Sequence, residues 1–364
     1  MKPHSQIAID VRMACHTGIG RYIRGFISKL SEHPPSWNYV LIGNSSLRTI
    51  FSPQIPYRLL NVPIYSVFEQ VAMPLAANSY DCLHIPHYNI PVAWPKKLVV
   101  TIHDLIHFEF SKDLNPFAVY YAKFFLPLAV KRADAIIAVS ESTKKDLVEK
   151  LNVKPEKITV IYHGIDPVFL QPEQSVKSGN QDPYFLYVGL IKSHKNLGLL
   201  LKAFKEVKRK LGMDNLSLRI VGRPDPKQKI VGQWLRMIED DRSIHLISRV
   251  PDQELKKIYA NAIALVFPSL YEGFGFPLLE AMASRIPIIA ANSTSIPEVL
   301  SEHAGLLFDP GSQSELESCM EKIIKNKNLR QTLIDEGQKR LTLFDWKAAA
   351  GKAEKVYESV LYSN

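Results

Sequence analysis

Short apolar runs alternate with longer amphipathic stretches along almost the whole chain, in two series of six. The first series is IAIDV, YVLIG, CLHIP, LVVTI, AIIAV and ITVIY; the second is YFLYVG, LRIVG, IHLIS, ALVFPS, PIIAA and GLLF. Runs this apolar, without polar alternation, are strands covered on both faces, the pattern of a parallel sheet flanked by helices. The intervening stretches have helical period: KNLGLLLKAFKEVKRKLG carries apolar residues at 197, 200, 201, 204 and 207. The expected fold class is therefore α/β with two parallel-sheet domains, 1–170 and 184–343. The polar segment 171–183, rich in breakers, links them, and a helical stretch, 344–364, closes the chain.

A length of 364 residues suits two domains, and 46% hydrophobic with 22% charged residues is ordinary for a globular chain. The net charge of +9 is spread over both halves with acids interleaved. That argues against nucleic acid as a partner, which requires Lys and Arg clustered on one face. A diffuse excess better suits an anionic ligand or an acidic membrane surface. MKPHSQ leads directly into IAIDV without a signal-peptide pattern, and no apolar run reaches the length of a membrane span. Cys15, Cys82 and Cys319 lack metal-ligand spacing. These features predict a cytoplasmic protein, with peripheral association at the inner face of a membrane as a further reading. The aromatic stretch NPFAVYYAKFFLPLAVKR reads first as core packing, with docking on a membrane surface as the alternative.

In open α/β sheets, ligands bind beyond the carboxyl ends of the strands, so functional residues should directly follow apolar runs. Three segments do. In DVRMACHTGIGRYIRGF, Gly18 and Gly20 lie between the first strand and a helix, where amides can approach an anion; a plain tight turn is the alternative. In LYVGLIKSHKN, Gly189 ends a strand, and Lys192, His194 and Lys195 gather near a helix start. Cations are unfavourable there unless an anion offsets them; a solvated basic loop is the alternative. In FPSLYEGFGFPLLEA, Glu272, Gly273, Phe274, Gly275 and Phe276 precede a helix with Pro277 in its first turn and Glu280 inside it. The amides from Phe274 to Leu278 then form an anion cradle between two carboxylates. A phosphate flanked by polyols fits such a cradle, which is the shape of a nucleotide sugar.

Lesser candidates also follow apolar runs: His103 and Asp104 after LVVTI, Ser140 after AIIAV, and Arg223 after LRIVG. Ser140 serves equally as a helix N-cap. His84, His87, His103 and His107 are not spaced as metal ligands, so no metal site is expected.

The segments TGIGRYIRGF, TIHDL, ADAIIAVSESTKKDL, VIYHGID, YVGLIKSHKNL, FPSLYEGFGFPLLEAMASRIPIIAAN, IPEVL and AGLLFDP, in this order, resemble the retaining glycosyltransferases of family 4. The resemblance implies the GT-B architecture: two Rossmann-like domains facing across a cleft, with helix 344–364 crossing back to the first. It implies that Glu272 faces the donor sugar and Glu280 binds ribose hydroxyls. The loop from Gly273 to Phe276 would line sugar and phosphate. Lys195 would hold the diphosphate, His103 would sit near the anomeric centre, and Gly18, Gly20 and Gly189 would lie near the donor. Asp104 and Ser140 fall on the acceptor side. The chain departs from the family where Leu190 and His194 stand in place of an arginine, leaving Arg223 or Lys192 as the second phosphate cation.

The implied activity is retaining transfer of a hexose, with mannose from GDP-mannose favoured by likeness to bacterial mannosyltransferases. The acceptor would be a saccharide or a lipid-linked hydroxyl, and no cofactor or metal would be needed. A nucleotide-sugar epimerase of the same architecture and a silent binding protein are the alternatives. A dehydrogenase is disfavoured because no G-x-G-x-x-G follows a strand.

Overall fold

All of the apolar runs form parallel strands in the computed structural model, which describes residues 5–30, 38–171, 182–248 and 250–362. The chain divides into two units, Met1–Gly164 with Asp345–Asn364, and Ile165–Phe344.

The first unit contains strands β1 (Gln6–Asp10), β2 (Asn38–Gly43), β3 (Tyr57–Leu59), β4 (Cys82–Ile85), β5 (Lys97–Ile102), β6 (Ala135–Ala138) and β7 (Ile158–Val160). Their order in the sheet is β3-β2-β1-β4-β5-β6-β7. Strand β1 pairs with β2 on one side (Ile9 opposite Leu41) and with β4 on the other (Ile9 opposite His84). The chain therefore leaves β1 and β4 in opposite directions, which makes a topological switch point. Strand β3 was not anticipated: it is a three-residue edge strand whose Arg58 and Leu59 are exposed, so it has no apolar run.

The closing helix Trp346–Tyr362 packs on helix Gly18–Leu30 of this same unit. It is fastened by a buried polar chain. The Tyr357 hydroxyl lies 2.7 Å from His84 Nδ1, His84 Nε2 lies 2.8 Å from the Thr101 hydroxyl, and that hydroxyl lies 3.0 Å from Tyr22 Oη. Burial holds the His84 imidazole neutral, its pKa pushed down to about 3. Trp346 also fits against two glycines: a Cβ at Gly25 or Gly164 would come within 2.2 or 2.4 Å of Trp346 atoms.

The second unit contains β8 (Tyr184–Val188), β9 (Ser217–Val221), β10 (Ile244–Ile247), β11 (Ala264–Phe267), β12 (Ile288–Ala291) and β13 (Leu306–Phe308), ordered β10-β9-β8-β11-β12-β13. This is the strand order of a Rossmann sheet, with its switch point between β8 and β11. Residues Ile165–Leu170 belong here rather than to the first domain, as the sequence reading had them. Helix Pro167–Leu170 sets the Phe169 ring 6.0 Å from Tyr259, and Lys256 Nζ donates to the Gln171 carbonyl across 2.5 Å. Phe344, assigned to the closing helix, likewise stays with this unit, its ring 5.7 Å from Phe274. Positions 172–181 of the expected linker lie outside the described residues.

The aromatic helix Pro116–Arg132 is only half core. Val119, Ala122, Leu126, Ala129 and Val130 are buried, but Phe117, Tyr120 and Phe124 are 72%, 75% and 63% exposed. Among the described residues no helix is long and apolar enough to cross a membrane.

Candidate functional site

The two loops leaving the switch point of the second sheet carry the residues singled out in LYVGLIKSHKN and FPSLYEGFGFPLLEA. After β8 the backbone turns at Gly189 and then runs beside the end of β9. Gly189 N–H donates to the Val221 carbonyl at 3.0 Å, and Ile191 N–H donates to the Arg223 carbonyl at 2.9 Å. The crossing is so tight that a Cβ at Gly222 would lie 1.9 Å from the Gly189 oxygen. The loop then enters the short 3-10 helix Ser193–Lys195, where Ser193 N–H donates to Gln228 Oε1 at 2.7 Å. Asn196, in left-handed conformation, separates this turn from helix Leu197–Leu211 and donates through Nδ2 to the Pro310 carbonyl at 3.0 Å. Lys195 thus precedes the helix instead of occupying its first turn.

After β11, the chain reaches Glu272 and ends its loop at Gly275, whose φ of +116° suits glycine and starts helix Phe276–Ala283. As expected, Pro277 sits in the first helical turn. The amide cradle is smaller than expected: Pro277 has no N–H, and the Leu278 amide donates to the Gly275 carbonyl at 3.0 Å. The loop is suspended from residues that sequence reasoning passed over. Glu272 N–H donates to Thr294 Oγ1 at 3.0 Å, and the fully buried Ser295 hydroxyl lies 3.0 Å from both the Glu272 and Phe274 carbonyls. Ser293 Oγ donates to the Ser269 carbonyl at 2.7 Å. Leu270 N–H donates to the His194 carbonyl at 2.8 Å, which ties the two loops together.

Lys195 and Glu272 meet. Lys195 Nζ lies 2.5 Å from Glu272 Oε1, with the side chains 17% and 13% exposed. The sequence reading took Lys195 as a cation awaiting an anionic ligand; in the folded chain a carboxylate already balances it. The ammonium also lies 5.9 Å from the centroid of the Phe267 ring.

Glu280 is 1% exposed, and its Oε2 accepts from the Tyr259 hydroxyl at 2.8 Å. His194 is buried, and desolvation, with Lys195 and Lys192 adding to it, drives its pKa down to about 2. It is neutral at physiological pH and does not replace the missing arginine as a phosphate cation. Of the substitutes, Arg223 is exposed and Lys192 half-buried. Gly273 and Phe276 are half-buried, while Phe274 packs into the unit between the Phe276 and Phe344 rings, 6.0 and 5.7 Å away.

In the first unit, His103 ends β5. Its Nε2–H donates to the Pro86 carbonyl at 3.1 Å, and its ring lies edge-on to Tyr22 at 5.1 Å. Burial lowers its pKa to about 4 against the opposing pull of Asp104 and the Pro86 bond. Gly18 begins helix Gly18–Leu30 in open surroundings. Gly20 has a packing reason instead, since a Cβ there would lie 2.5 Å from the Ala14 oxygen. Ser140, assigned to the acceptor side, is fully buried. It caps helix Glu141–Leu151, accepting from Thr143 N–H at 3.0 Å, the alternative that its place after AIIAV allowed. Asp104 is half-buried and turns its carboxylate to the Ile106 amide at 3.1 Å.

The switch point of the first sheet holds a charged cluster that the sequence reading missed. Arg12 binds Asp10 through Nε and Nη2 at 2.9 and 2.7 Å, and Nη1 reaches Glu69 Oε2 at 3.1 Å, with all three side chains buried. The only signal was the D-V-R triplet at the end of the first run. Among the described residues, no group of His, Cys, Asp and Glu is arranged to hold a metal ion.

Residues 30–169 match the family model described as Glycosyltransferase Family 4, and residues 171–340 match the one described as Glycosyl transferases group 1; together they take in most of the chain. The chain is 29% identical over 285 residues to the O-antigen chain mannosyltransferase RfbU of Salmonella typhimurium, covering 78% of this chain and 74% of that protein. It is 25% identical over 282 residues to O-antigen chain mannosyltransferase B of Escherichia coli, covering 76% and 73%. The crystal structure of Anabaena HepE in complex with UDP and glucose superposes with a TM-score of 0.79 at 17% identity, over 98% of this chain and all of that one. That likeness shows the fold: two Rossmann-like domains in the GT-B arrangement of elements. With both of its domains matched, the chain belongs to the group 1 and family 4 glycosyltransferases.

Proposed function

We propose that the protein moves a hexose from a nucleotide diphosphate sugar to an acceptor hydroxyl with retention of anomeric configuration, in the assembly of a polysaccharide or glycolipid. The observation that carries this reading is the Lys195–Glu272 pair at the carboxyl ends of β8 and β11, beside the start of helix Phe276–Ala283. A cation, a helix N-terminus and a carboxylate are the groups needed for a leaving diphosphate and for the hydroxyls of the sugar attached to it. Mannose from GDP-mannose is the favoured donor, since two relatives are named as O-antigen chain mannosyltransferases.

In this mechanism Lys195 and the helix end stabilise the charge that gathers on the departing diphosphate. Their positive charge stands in for a divalent ion, so turnover proceeds without added metal. Glu272 takes hydroxyls of the sugar, and Glu280 takes those of the ribose. His103, kept neutral by its depressed pKa, would serve as a hydrogen-bonding group toward the sugar and is a poor base. An inverting route needs a base on the face opposite the leaving group. A retaining route uses the phosphate oxygen to receive the acceptor's proton and needs positioning and charge stabilisation above all.

The deciding experiment is turnover of GDP-mannose in excess EDTA, with the product read by proton NMR. The expected product is α-linked. A β-linked product overturns the retaining mechanism, and activity that returns only with magnesium or manganese overturns metal independence.

The reading includes peripheral attachment to the cytoplasmic face of a membrane, where a lipid-linked acceptor would lie. It is supported by the exposed apolar side chains of two neighbouring elements. Val67, Phe68, Val71 and Leu75 line one, and Phe117, Tyr120 and Phe124 line the other. The two elements adjoin through the rings of Tyr65 and Tyr121, 5.0 Å apart. Lys123, beside Phe124 on helix Pro116–Arg132, is exposed and would meet anionic headgroups, as would the exposed Lys112 just before that helix in the chain.

A further inference from the structure

We infer that Lys195 and Glu272 form an exchange lock, in which the carboxylate occupies the phosphate's place on the ammonium until sugar hydroxyls draw it away. The inference rests on the donor reading above and adds a consequence to it. The site would distinguish an intact nucleotide sugar from a nucleoside diphosphate, and would help expel the diphosphate once the sugar has left.

The geometry supplies the argument. Both backbones are pinned. Lys195 N–H donates to the Lys192 carbonyl at 3.0 Å, and Glu272 is held by Thr294 through its amide and by Ser295 through its carbonyl. Only the two side chains remain to respond to a ligand. At 2.5 Å, Glu272 Oε1 takes one of the three N–H donors of Lys195 Nζ, and a phosphoryl oxygen accepting from the same ammonium would come within a few ångströms of that carboxylate. Two anions then compete for one cation, and like charges within a few ångströms of each other are strongly unfavourable in a partly dehydrated site.

A hexose resolves that competition. Its hydroxyls are neutral donors, so Glu272 can exchange an ammonium for hydroxyls while the diphosphate takes over Lys195. A bare nucleoside diphosphate offers no such donors and adds an ionised terminal oxygen where the sugar was attached. It must therefore bind against Glu272, whereas the sugar nucleotide binds with its help. After transfer the hydroxyls depart, Glu272 returns to Lys195, and the diphosphate is displaced. Product release limits turnover in many enzymes, which gives such a device a use.

Calorimetric titration of the wild-type chain, Glu272→Gln and Glu272→Ala with GDP, inorganic pyrophosphate and GDP-mannose tests the lock. Pyrophosphate carries no base, so it reads the Lys195 exchange regardless of which nucleotide the site prefers. Both variants should bind GDP and pyrophosphate about five- to tenfold more tightly than wild type, the scale of a partly buried pair no longer competing. They should bind GDP-mannose more weakly, and Lys195→Ala should abolish the gain in either background. Thermal melting identifies the folded variants, and the isosteric Gln preserves packing if Ala does not. Pyrophosphate affinity that is unchanged, weaker or absent in both variants overturns the lock. Tighter pyrophosphate binding with no binding of GDP or GDP-mannose would keep the lock and remove the donor reading.

Discussion

Glu280 buries a carboxylate at 1% exposure, where an unpaired charge would cost several kcal/mol, and Tyr259 meets it with a hydroxyl at 2.8 Å. Glu280→Ala should therefore lose about 1–3 kcal/mol of stability, because it strands the Tyr259 hydroxyl and leaves a cavity. Glu280→Gln keeps the shape and should stay near wild type in urea denaturation while binding nucleoside diphosphate more weakly. Equal nucleotide affinity in a folded Gln variant removes the ribose assignment. The histidines give a pH prediction. His84 and His103 titrate near 3 and 4 when folded and near 6.5 when unfolded. The unfolded chain thus binds the extra protons, and stability should be level above pH 6.5 and fall as the pH drops toward 4. Each group contributes at most about 1.4 kcal/mol per pH unit in that window. Urea midpoints at pH 7.5 and 5.5 check this, and equal midpoints would mean that the imidazoles are solvated. Glu272 and Lys195 were legible in the sequence because each follows an apolar run in a loop with glycine, Gly189 before Lys195 and Gly273 after Glu272. Their pairing was not, since the partners are 77 positions apart. Thr294 and Ser295 were illegible for another reason: in NSTS they read as a generic polar turn, and only the fold reveals which carbonyls lie above them.

At the scale of elements, the strands were legible because a parallel sheet buried on both faces demands consecutive apolar residues. Among the described residues the strand missed, β3, lies at the edge of its sheet and owes nothing to that demand. Helix Pro116–Arg132 was harder, because it is apolar nearly all round. Such a helix should be buried, yet Phe117, Tyr120 and Phe124, spaced three and four apart, face outward. Periodicity reports which residues are apolar and says nothing about which face has a partner. Replacing Phe117 and Phe124 by Ser should change stability by no more than about 0.5 kcal/mol each, as for exposed sites. The same change should clearly reduce cosedimentation with vesicles containing an anionic phospholipid. A double variant that sediments like wild type would remove the membrane reading. Ser295→Ala should act the other way: the buried Phe274 carbonyl and the half-buried Glu272 carbonyl lose the one hydroxyl proton they share, with about 1–3 kcal/mol lost and turnover reduced through the displaced Glu272 loop.

On the scale of the whole molecule, the first unit is built from both ends of the chain, and the second is inserted between Gly164 and Asp345. Removing residues 345–364 should uncover Tyr22 and His84, which the closing helix now shields, and deprive the polar chain of Tyr357. We expect the truncated chain to lose cooperative unfolding of its first unit while the second retains its own transition in calorimetry. Two unchanged transitions would show that the closing helix is dispensable. The same connectivity sets an order of events during synthesis. At about 5–20 residues per second, a ribosome spends on the order of ten to forty seconds on the inserted segment after Gly164 has been made. Throughout that interval the seat of Trp346, between Gly25 and Gly164, is empty and the apolar flank of helix Gly18–Leu30 is open to solvent. The domain translated first is therefore completed last, and the nascent chain must be kept from aggregating through a surface that the finished protein never shows.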